Sequence, residues 1–266
     1  MRIDDSIRKC VGFVTIEKDG GKYQPIGTYF YVAVPGSLPM RSYAVTARHV
    51  IDGARACGNQ FVFIRLNKED GGLRYYRCES DKWIGHDDLS VDLVVYPMGI
   101  GAGNDHFAFP SDKLFNKSLL EEFELTLGHE VFVTGLFRHH HGERKNIPIV
   151  RVGTIAALDE EQVQTEVYLR DAYLIECRSI GGLSGSPVYI QIEPELKLRR
   201  PTPPSTPPGT YLLGVIHGHF DANIAKIDTS VMNAGLGDRV NTGIAIVTAA
   251  EKLKELLAQD DVFTQS

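Results

Sequence analysis

The chain has 266 residues, of which 43% are hydrophobic and 23% are charged, and it carries a net charge of −6 at neutral pH. These values are ordinary for a folded globular protein, and they call for neither disorder nor a coiled coil. The negative charge argues against a nucleic-acid partner, which requires a basic face, and no apolar run is long enough to cross a bilayer. We therefore expect no nucleic-acid partner and no membrane partner.

The N-terminal stretch and the cysteines bear on the cellular compartment. Residues 1–9 lack the apolar core of a secretory signal, and four cysteines, at 10, 57, 78 and 177, are sparse for a secreted protein of this size. We expect a cytoplasmic protein with reduced thiols. Cys57 and Cys78 remain a candidate pair in an oxidising setting, because sequence alone does not decide their pairing.

Short runs of β-branched and aromatic residues, bounded by turn formers, predict β-strands in the first half of the chain. The predicted strands are residues 11–17, 26–34, 42–46, 61–66, 73–78 and 92–96, with one helical turn at 50–56. A polar, glycine-containing stretch at 99–117 predicts a connection between two lobes.

The second half continues as β-structure and ends in a helix. Its predicted strands are residues 130–137, 147–157, 167–176, 187–193, 211–217 and 243–247. The proline-rich stretch 201–209 cannot donate to a sheet, so we expect an exposed hairpin tip there. Leucines between charged residues in 248–258 predict an amphipathic helix. Together these elements predict an all-β chain with lobes at 1–115 and 116–266.

Residues 181–187 read Gly-Gly-Leu-Ser-Gly-Ser-Pro and precede an apolar strand, which predicts a tight turn with a serine at its tip. Small residues let backbone N–H groups converge on one point. The N–H groups of Gly182 and Ser184 are therefore candidate donors to the oxyanion that forms when a serine hydroxyl attacks a carbonyl. A plain hairpin loop is the alternative interpretation of the same residues.

A serine nucleophile needs an adjacent base, and the base needs a third group to orient its ring. Residues 43–51 predict an apolar strand that ends in small residues followed by His49. Asp92 begins another apolar strand, where a buried carboxylate requires a cationic or hydrogen-bonding partner. Asp87 and Asp88 compete with Asp92, but they lie in a polar loop. We select His49 as the base and Asp92 as the orienting acid.

Three segments in this order resemble the chymotrypsin-like (trypsin-fold) serine peptidases: Thr-Ala-x-His-Val at 46–50, Val-Asp-Leu-Val at 91–94 and Gly-x-Ser-Gly-Ser-Pro at 182–187. The resemblance implies two six-stranded antiparallel β-barrels with a C-terminal helix. It also implies a catalytic triad of His49, Asp92 and Ser184 that hydrolyses a polypeptide substrate through an acyl-enzyme without a cofactor.

The family motif selects Ser184 over Ser186 as the nucleophile. Many pancreatic-type members of the family have an aspartate just before the reactive serine, which pairs with the new N-terminal amine after activation. This chain has Leu183 at that place, and leucine cannot form the pair. We infer a site that is assembled without proteolytic activation.

The segment Gly-Val-Ile-His-Gly at 214–218 is similar to the Gly-Ile-His-x-Gly segment of the bacterial glutamyl endopeptidases and of viral chymotrypsin-like proteases. The resemblance implies that His217 and Ser179 line the primary specificity pocket, and Arg178 would also suit an acidic side chain. We expect cleavage after Glu, or after Gln or Asp. The alternative is that His217 is merely a strand residue that faces the cleft.

Two further features of the sequence have competing interpretations. His139, His140 and His141 precede Glu143, but adjacent histidines in a hairpin point to alternating faces, so a solvated loop is favoured over a metal site. A cytoplasmic peptidase without a leader needs restraint, so we expect a narrow specificity or activation by a protein partner. The rival from another class is a catalytically silent or latent protease-fold scaffold or sensor that acts by partner binding.

Overall fold

The computed structural model describes residues 4–37, 40–158, 161–165, 169–177, 182–192, 207–223 and 239–259. The strands are β1 (Val11–Lys18), β2 (Lys22–Val34), β3 (Arg41–Thr46), β4 (Phe61–Asn67), β5 (Leu73–Glu79), β6 (Ile84–Gly85), β7 (Val94–Pro97), β8 (Phe109–Pro110), β9 (Glu130–Gly135), β10 (Ile149–Ala157), β11 (Val163–Gln164), β12 (Leu169–Arg170), β13 (Tyr173–Glu176), β14 (Pro187–Ile192), β15 (Gly209–Asn223) and β16 (Arg239–Ala249). The α-helices are α1 (Ser6–Lys9), α2 (Arg48–Ala56), α3 (Lys117–Glu122) and α4 (Ala250–Leu257).

The first eight strands form one curled sheet. Seven of them follow the order β5-β4-β1-β2-β3-β7-β6, and β8 pairs in parallel with β2. The first six residues of β1 are all buried, because both faces of the strand are covered: Val14 and Ile16 pack in the interior of the curled sheet, and Val11 packs in a second core that also contains residues of the later strands. The helix α2 follows β3 directly, so the end of β3 and the start of α2 deliver His49 to one rim of the sheet.

The later strands close into a six-stranded antiparallel barrel in the order β10-β13-β16-β15-β14-β9. Alternate residues of β9, Val131 and Val133, point into the barrel, where they meet Ile175, Val188 and Val247. The strand β14 begins directly after the predicted serine turn, and β15 carries His217.

One core cluster joins the sheet to the barrel. It contains Tyr43 and Val45 of β3, Phe132 of β9 and Tyr189 of β14, together with Leu253 of α4. The apolar face predicted for the C-terminal helix is therefore buried between both units. Because apolar burial contributes about 25 cal/mol per Å² of surface removed from water, this shared core is the main force that fixes the two units against each other.

The predicted strands of both halves are confirmed within a few residues at their ends, with two differences. The single strand predicted at 167–176 is interrupted, and only β12 and β13 are present in its described part. The connection predicted at 99–117 contains β8, and α3 follows it. The Asn116 side chain caps α3 by accepting a hydrogen bond from the Leu119 N–H group at 3.0 Å. The lobe boundary at 115 stays a prediction.

Several other predictions concern local features. Of the proline-rich stretch 201–209, only 207–209 lie within the described residues. Cys57 is exposed, Cys78 is buried, and both are free thiols, as are the other two cysteines. Burial raises the pKa of the Cys78 thiol to about 12. Across the part of the chain that the structure describes, no helix combines the length and the apolar character needed to span a membrane.

Candidate active site

Asp92 lies in the segment that leads into β7, and its side chain is only 3% exposed. Its Oδ1 accepts from the backbone N–H of His49 at 2.9 Å, and its Oδ2 accepts from His49 Nδ1 at 2.7 Å and from His217 Nδ1. Burial alone would raise the pKa of Asp92, but the hydrogen bonds from His217 and His49 outweigh it and hold the pKa well below its usual range. Asp92 is therefore an ionised acceptor at neutral pH.

His49 is the second residue of α2, and its side chain is 45% exposed. The residue that precedes this helix, Ala47, has no side-chain oxygen, so the Asp92 carboxylate binds an N–H group that the helix itself leaves unpaired. A carboxylate only accepts hydrogen bonds, so the Nδ1 atom of His49 carries the hydrogen. Its Nε2 atom is then a proton acceptor, which is the tautomer that a general base requires.

His217 contacts the same carboxylate oxygen as His49. The two imidazole rings stand edge to face, with centroids 5.3 Å apart and an interplanar angle of 79°. The sequence predicted a pocket residue at position 217 but not its contact with Asp92. No spacing signal reveals it, because 125 positions separate the two residues along the chain.

The turn that contains Ser184 packs against the sheet beside His49. Thr28 N–H donates to the Ser184 carbonyl at 3.0 Å. Gly185 has φ = +83°, and a Cβ atom there would lie 2.2 Å from the Thr28 carbonyl oxygen and 3.1 Å from the Ala47 nitrogen. Only glycine fits this close approach. Since Ala47 is two residues before His49, the serine turn and the base share one rim of the sheet.

The other side of the turn contacts the strand that carries His217. Gly185 N–H donates to the Ile216 carbonyl at 2.8 Å, and Ile216 directly precedes His217. The three segments selected from the sequence therefore meet at one place. Within the described residues, Ser184 Oγ makes no hydrogen bond to His49. The segments that carry the two residues are in contact, but the hydroxyl and the imidazole are not hydrogen-bonded to each other.

Two backbone N–H groups around Gly182 have no hydrogen-bond acceptor in the described part of the chain. Gly182 has φ = +108°, and a Cβ atom there would come within 3.0 Å of the Leu136 side chain. The N–H groups of Gly182 and Ser184 find no acceptor among the residues whose positions are described. Leu183, between them, is buried in the barrel core. An apolar side chain therefore holds the segment, and neither of its two N–H donors is used by another described residue.

Other candidates from the sequence occupy different surroundings. Ser186 is fully buried against Gly135, and its Oγ has no partner in the described part of the chain. Asp88 is exposed and accepts from the Ser90 N–H group at 2.8 Å. His139 and His140 are exposed on a 3-10 turn. Ser179 and Arg178 lie outside the described residues.

His49, Asp92 and His217 are residue types that bind metals, and their ligand atoms lie within 4.8 Å of one another. Ligands around a tetrahedral ion with bonds of about 2.0 Å are roughly 3.3 Å apart. The 2.7 Å separation between His49 Nδ1 and Asp92 Oδ2 is shorter, and the His217 contact is shorter still. The spacing is that of shared protons rather than of ligands around one ion.

No protein-family model matches the chain, and no curated protein sequence is recognisably similar to it. Solved structures do resemble it. The apo protease domain of MamO from Magnetospirillum magneticum covers 96% of this chain and 98% of its own length, with a TM-score of 0.56 and 13% identity. The fold is chymotrypsin-like. An inactive mutant of Rv3671c from M. tuberculosis H37Rv covers 96% of this chain and 88% of its own, with 16% identity and a TM-score of 0.47.

The likeness to the MamO domain and the strand topology confirm the predicted all-β class, the two β-units and the C-terminal helix. The barrel of the second unit is closed, whereas the first unit is a curled half-barrel sheet whose edge strands β5 and β6 are not paired with each other. At this low identity the likeness establishes a protease-type scaffold and leaves the activity to be argued from the site.

Proposed function

We propose that the chain is a serine endopeptidase in which Ser184 is the nucleophile, His49 the general base and Asp92 the orienting acid. The observation that carries this proposal is the contact of His49 Nδ1 with the buried Asp92 carboxylate, beside a glycine-flanked serine turn. A half-exposed imidazole with one nitrogen fixed on a buried carboxylate is suited to accept and return a proton at the other nitrogen.

The proposed reaction has two stages. His49 Nε2 takes the hydroxyl proton as Ser184 Oγ attacks the scissile carbonyl, and the N–H groups of Gly182 and Ser184 bind the oxyanion. Each such donor is worth about 3 kcal/mol of transition-state stabilisation in related chemistry. His49 then protonates the leaving amine, and an acyl-enzyme remains. Water activated by the same imidazole hydrolyses this ester and restores the serine. The scheme uses only side chains and backbone.

We propose a preference for Glu, or for Gln or Asp, before the scissile bond, with His217 and Ser179 at the pocket. Because His217 Nδ1 donates to Asp92, only Nε2 remains for a substrate. A neutral ring offers an acceptor there, which suits the amide N–H of Gln, whereas an imidazolium offers a donor, which suits the carboxylate of Glu.

Peptide libraries varied at the residue before the scissile bond test this preference. We expect cleavage after Glu, Gln or Asp. A preference for Lys, Arg or large aromatic residues would end the specificity proposal. It would leave the endopeptidase proposal intact, because the nucleophile and the base do not depend on the pocket.

A catalytically silent or latent protease-fold scaffold or sensor is the second candidate. The observation that favours it is that no hydrogen bond joins Ser184 Oγ to His49 within the described chain. Catalytic hydrogen bonds are often long in free enzymes and tighten when substrate binds, so this geometry does not displace the peptidase proposal. The peptidase proposal also includes four expectations from the sequence: a cytoplasmic location, a polypeptide substrate, a narrow specificity and activation by a protein partner.

A fluorophosphonate probe separates the two candidates, because it reacts rapidly with an activated serine and not with an ordinary one. The peptidase proposal predicts labelling of the wild-type chain and loss of labelling in Ser184→Ala and His49→Ala. A folded wild type that stays unlabelled, alone and with a cell extract added, would favour the scaffold. Prompt degradation of unfolded casein by the purified chain would count against a requirement for an activator.

A further inference from the structure

The serine turn is held by a residue of the opposite unit that the proposed chemistry does not use. Thr28 of β2 is fully buried, and its backbone N–H donates to the Ser184 carbonyl at 3.0 Å. Its hydroxyl donates to the Gly182 carbonyl at 2.8 Å and accepts from the Leu136 N–H group at 2.9 Å. One residue therefore binds the carbonyls of Gly182 and Ser184, the two residues whose N–H groups are the candidate oxyanion donors.

The chemistry of these groups fixes the direction of each hydrogen bond. The Leu136 N–H group can only donate, so the Thr28 hydroxyl must accept from it and is left with one hydrogen to give. That hydrogen goes to the Gly182 carbonyl, which can only accept. The loss of this hydroxyl would remove the hydrogen bonds of the Leu136 N–H group and the Gly182 carbonyl in a buried region.

The same residue is also tied to the strand that delivers the base. The Thr46 hydroxyl donates to the Thr28 carbonyl at 2.7 Å, and Thr46 is the last residue of β3, three positions before His49. Thr28 therefore couples the position of the serine turn to the position of the segment that carries His49.

We propose that Thr28 is a positioning residue that holds the Gly182–Ser184 segment in the orientation that presents the N–H groups of Gly182 and Ser184 to an oxyanion. This inference rests on the proposed function. It supplies a physical basis for a site assembled without proteolytic activation: the Thr28 hydroxyl and the buried Leu183 side chain together hold the turn, so no ion pair with a newly formed N-terminus is required.

The test compares substitutions that keep or remove the hydroxyl at nearly constant shape. In Thr28→Val the hydroxyl is lost, whereas Thr28→Ser retains it. We expect the rate of fluorophosphonate labelling to fall roughly 10- to 100-fold in Thr28→Val, less than the loss of a direct oxyanion donor, and to stay within about threefold of wild type in Thr28→Ser. Equal rates in all three proteins would overturn the proposal.

Thr15→Val is the matched control for lost stability. Thr15 is also fully buried, and its hydroxyl donates to the Phe63 carbonyl at 3.1 Å, with no contact to the serine turn. We expect Thr15→Val to lower the melting temperature while leaving the labelling rate within about twofold of wild type. If Thr28→Val does not fold, Thr28→Cys replaces it, because a thiol has nearly the shape of the serine hydroxyl and is a weak donor. A Thr28→Cys rate equal to that of Thr28→Ser would contradict the proposal.

Amide hydrogen exchange separates a failure of this inference from a failure of the proposed function. We expect faster exchange in the peptide that contains residues 182–186 in Thr28→Val, and no change there in Thr15→Val. This readout does not need activity. If the wild type is not labelled but the exchange difference is present, Thr28 holds the turn and the peptidase proposal fails. Unchanged exchange in Thr28→Val would overturn the inference even in an active enzyme.

Discussion

Two histidine–carboxylate pairs of the described chain differ in which partner is buried. In the first, Asp92 is 3% exposed while its partner His49 is 45% exposed; in the second, His86 is 8% exposed while its partner Glu255 is 45% exposed. Both contacts are of hydrogen-bond length, at 2.7 Å and 3.1 Å. The pairs differ in which member remains accessible.

That difference decides what each imidazole can do. His86 uses both ring nitrogens, because Nδ1 accepts from the Asp88 N–H group at 3.0 Å and Nε2 contacts Glu255. It joins the segment after β6 to the helix α4 and has no nitrogen left for a substrate. His49 uses only Nδ1, and its Nε2 has no partner among the described residues. A buried acid with an exposed imidazole can act as a base, whereas the reverse arrangement is a structural link.

The largest effect is expected from Asp92→Asn. The amide of Asn can donate a hydrogen bond as well as accept one, so it can also pair with a His49 ring that has no hydrogen on Nδ1. That ring carries its hydrogen on Nε2 and cannot accept the serine proton there. We expect the labelling rate at Ser184 to fall about 10⁴-fold, by analogy with the same change in a known triad.

Glu255→Gln is the matched control, because it makes the same chemical change in the reversed pair. Glu255 is exposed, and exposed ion pairs are worth about 0–1 kcal/mol, so we expect a labelling rate within twofold of wild type. If both variants lost a similar fraction of the labelling rate, the rate would report general stability rather than the orientation of the His49 ring, and the two pairs would not differ in function.

His217→Gln should have an intermediate effect. Asp92 has a second imidazole on Oδ2 that Glu255 lacks, and removing it leaves the two contacts from His49 in place. We expect a roughly tenfold loss of labelling rate, because a partner of the acid is lost while the base and its tautomer remain. A loss as large as that of Asp92→Asn would mean that His217, rather than His49, is the ring that Asp92 serves.

The smallest expected effect is on stability in acid. The pKa of Asp92 is lowered from its ordinary value of 3.8, so its stabilising contribution is complete above that pH and is lost as the pH falls from 3.8 toward the folded-state pKa. Between these limits the wild type should lose up to about 1.4 kcal/mol of unfolding free energy per pH unit more than Asp92→Asn. Denaturant titrations from pH 5 to 2 measure this, and parallel curves for the two proteins would contradict it.

The strands and the order of the three segments were predictable because they depend on local patterns. The predicted strand at 11–17 corresponds to β1, and Leu253 marks the buried face of α4. The short helix α3 was missed although Asn116 provides a capping signal, since six residues carry too little periodicity. The predicted roles of His49, Asp92 and Ser184 stay predictions that the geometry supports.

The contacts that could not be predicted are those between residues far apart in sequence. His217 meets Asp92 across 125 positions, and Thr28 meets Gly182 across 154. Threonine and histidine are common on strands, and nothing in their neighbours indicates which hydroxyl or ring will face another unit. Such contacts depend on how the sheet and the barrel pack together, which a single sequence does not encode in any local pattern.

The most direct test of the central claim is to map the fluorophosphonate adduct by mass spectrometry in the wild type, His49→Ala and His86→Ala, after confirming that each protein is folded. If His49 is the general base for Ser184, we expect one adduct on Ser184 in the wild type and none in His49→Ala. We expect the same adduct in His86→Ala, formed at a rate within about twofold of wild type. An adduct on another residue, or one that survives in His49→Ala and disappears in His86→Ala, would contradict it.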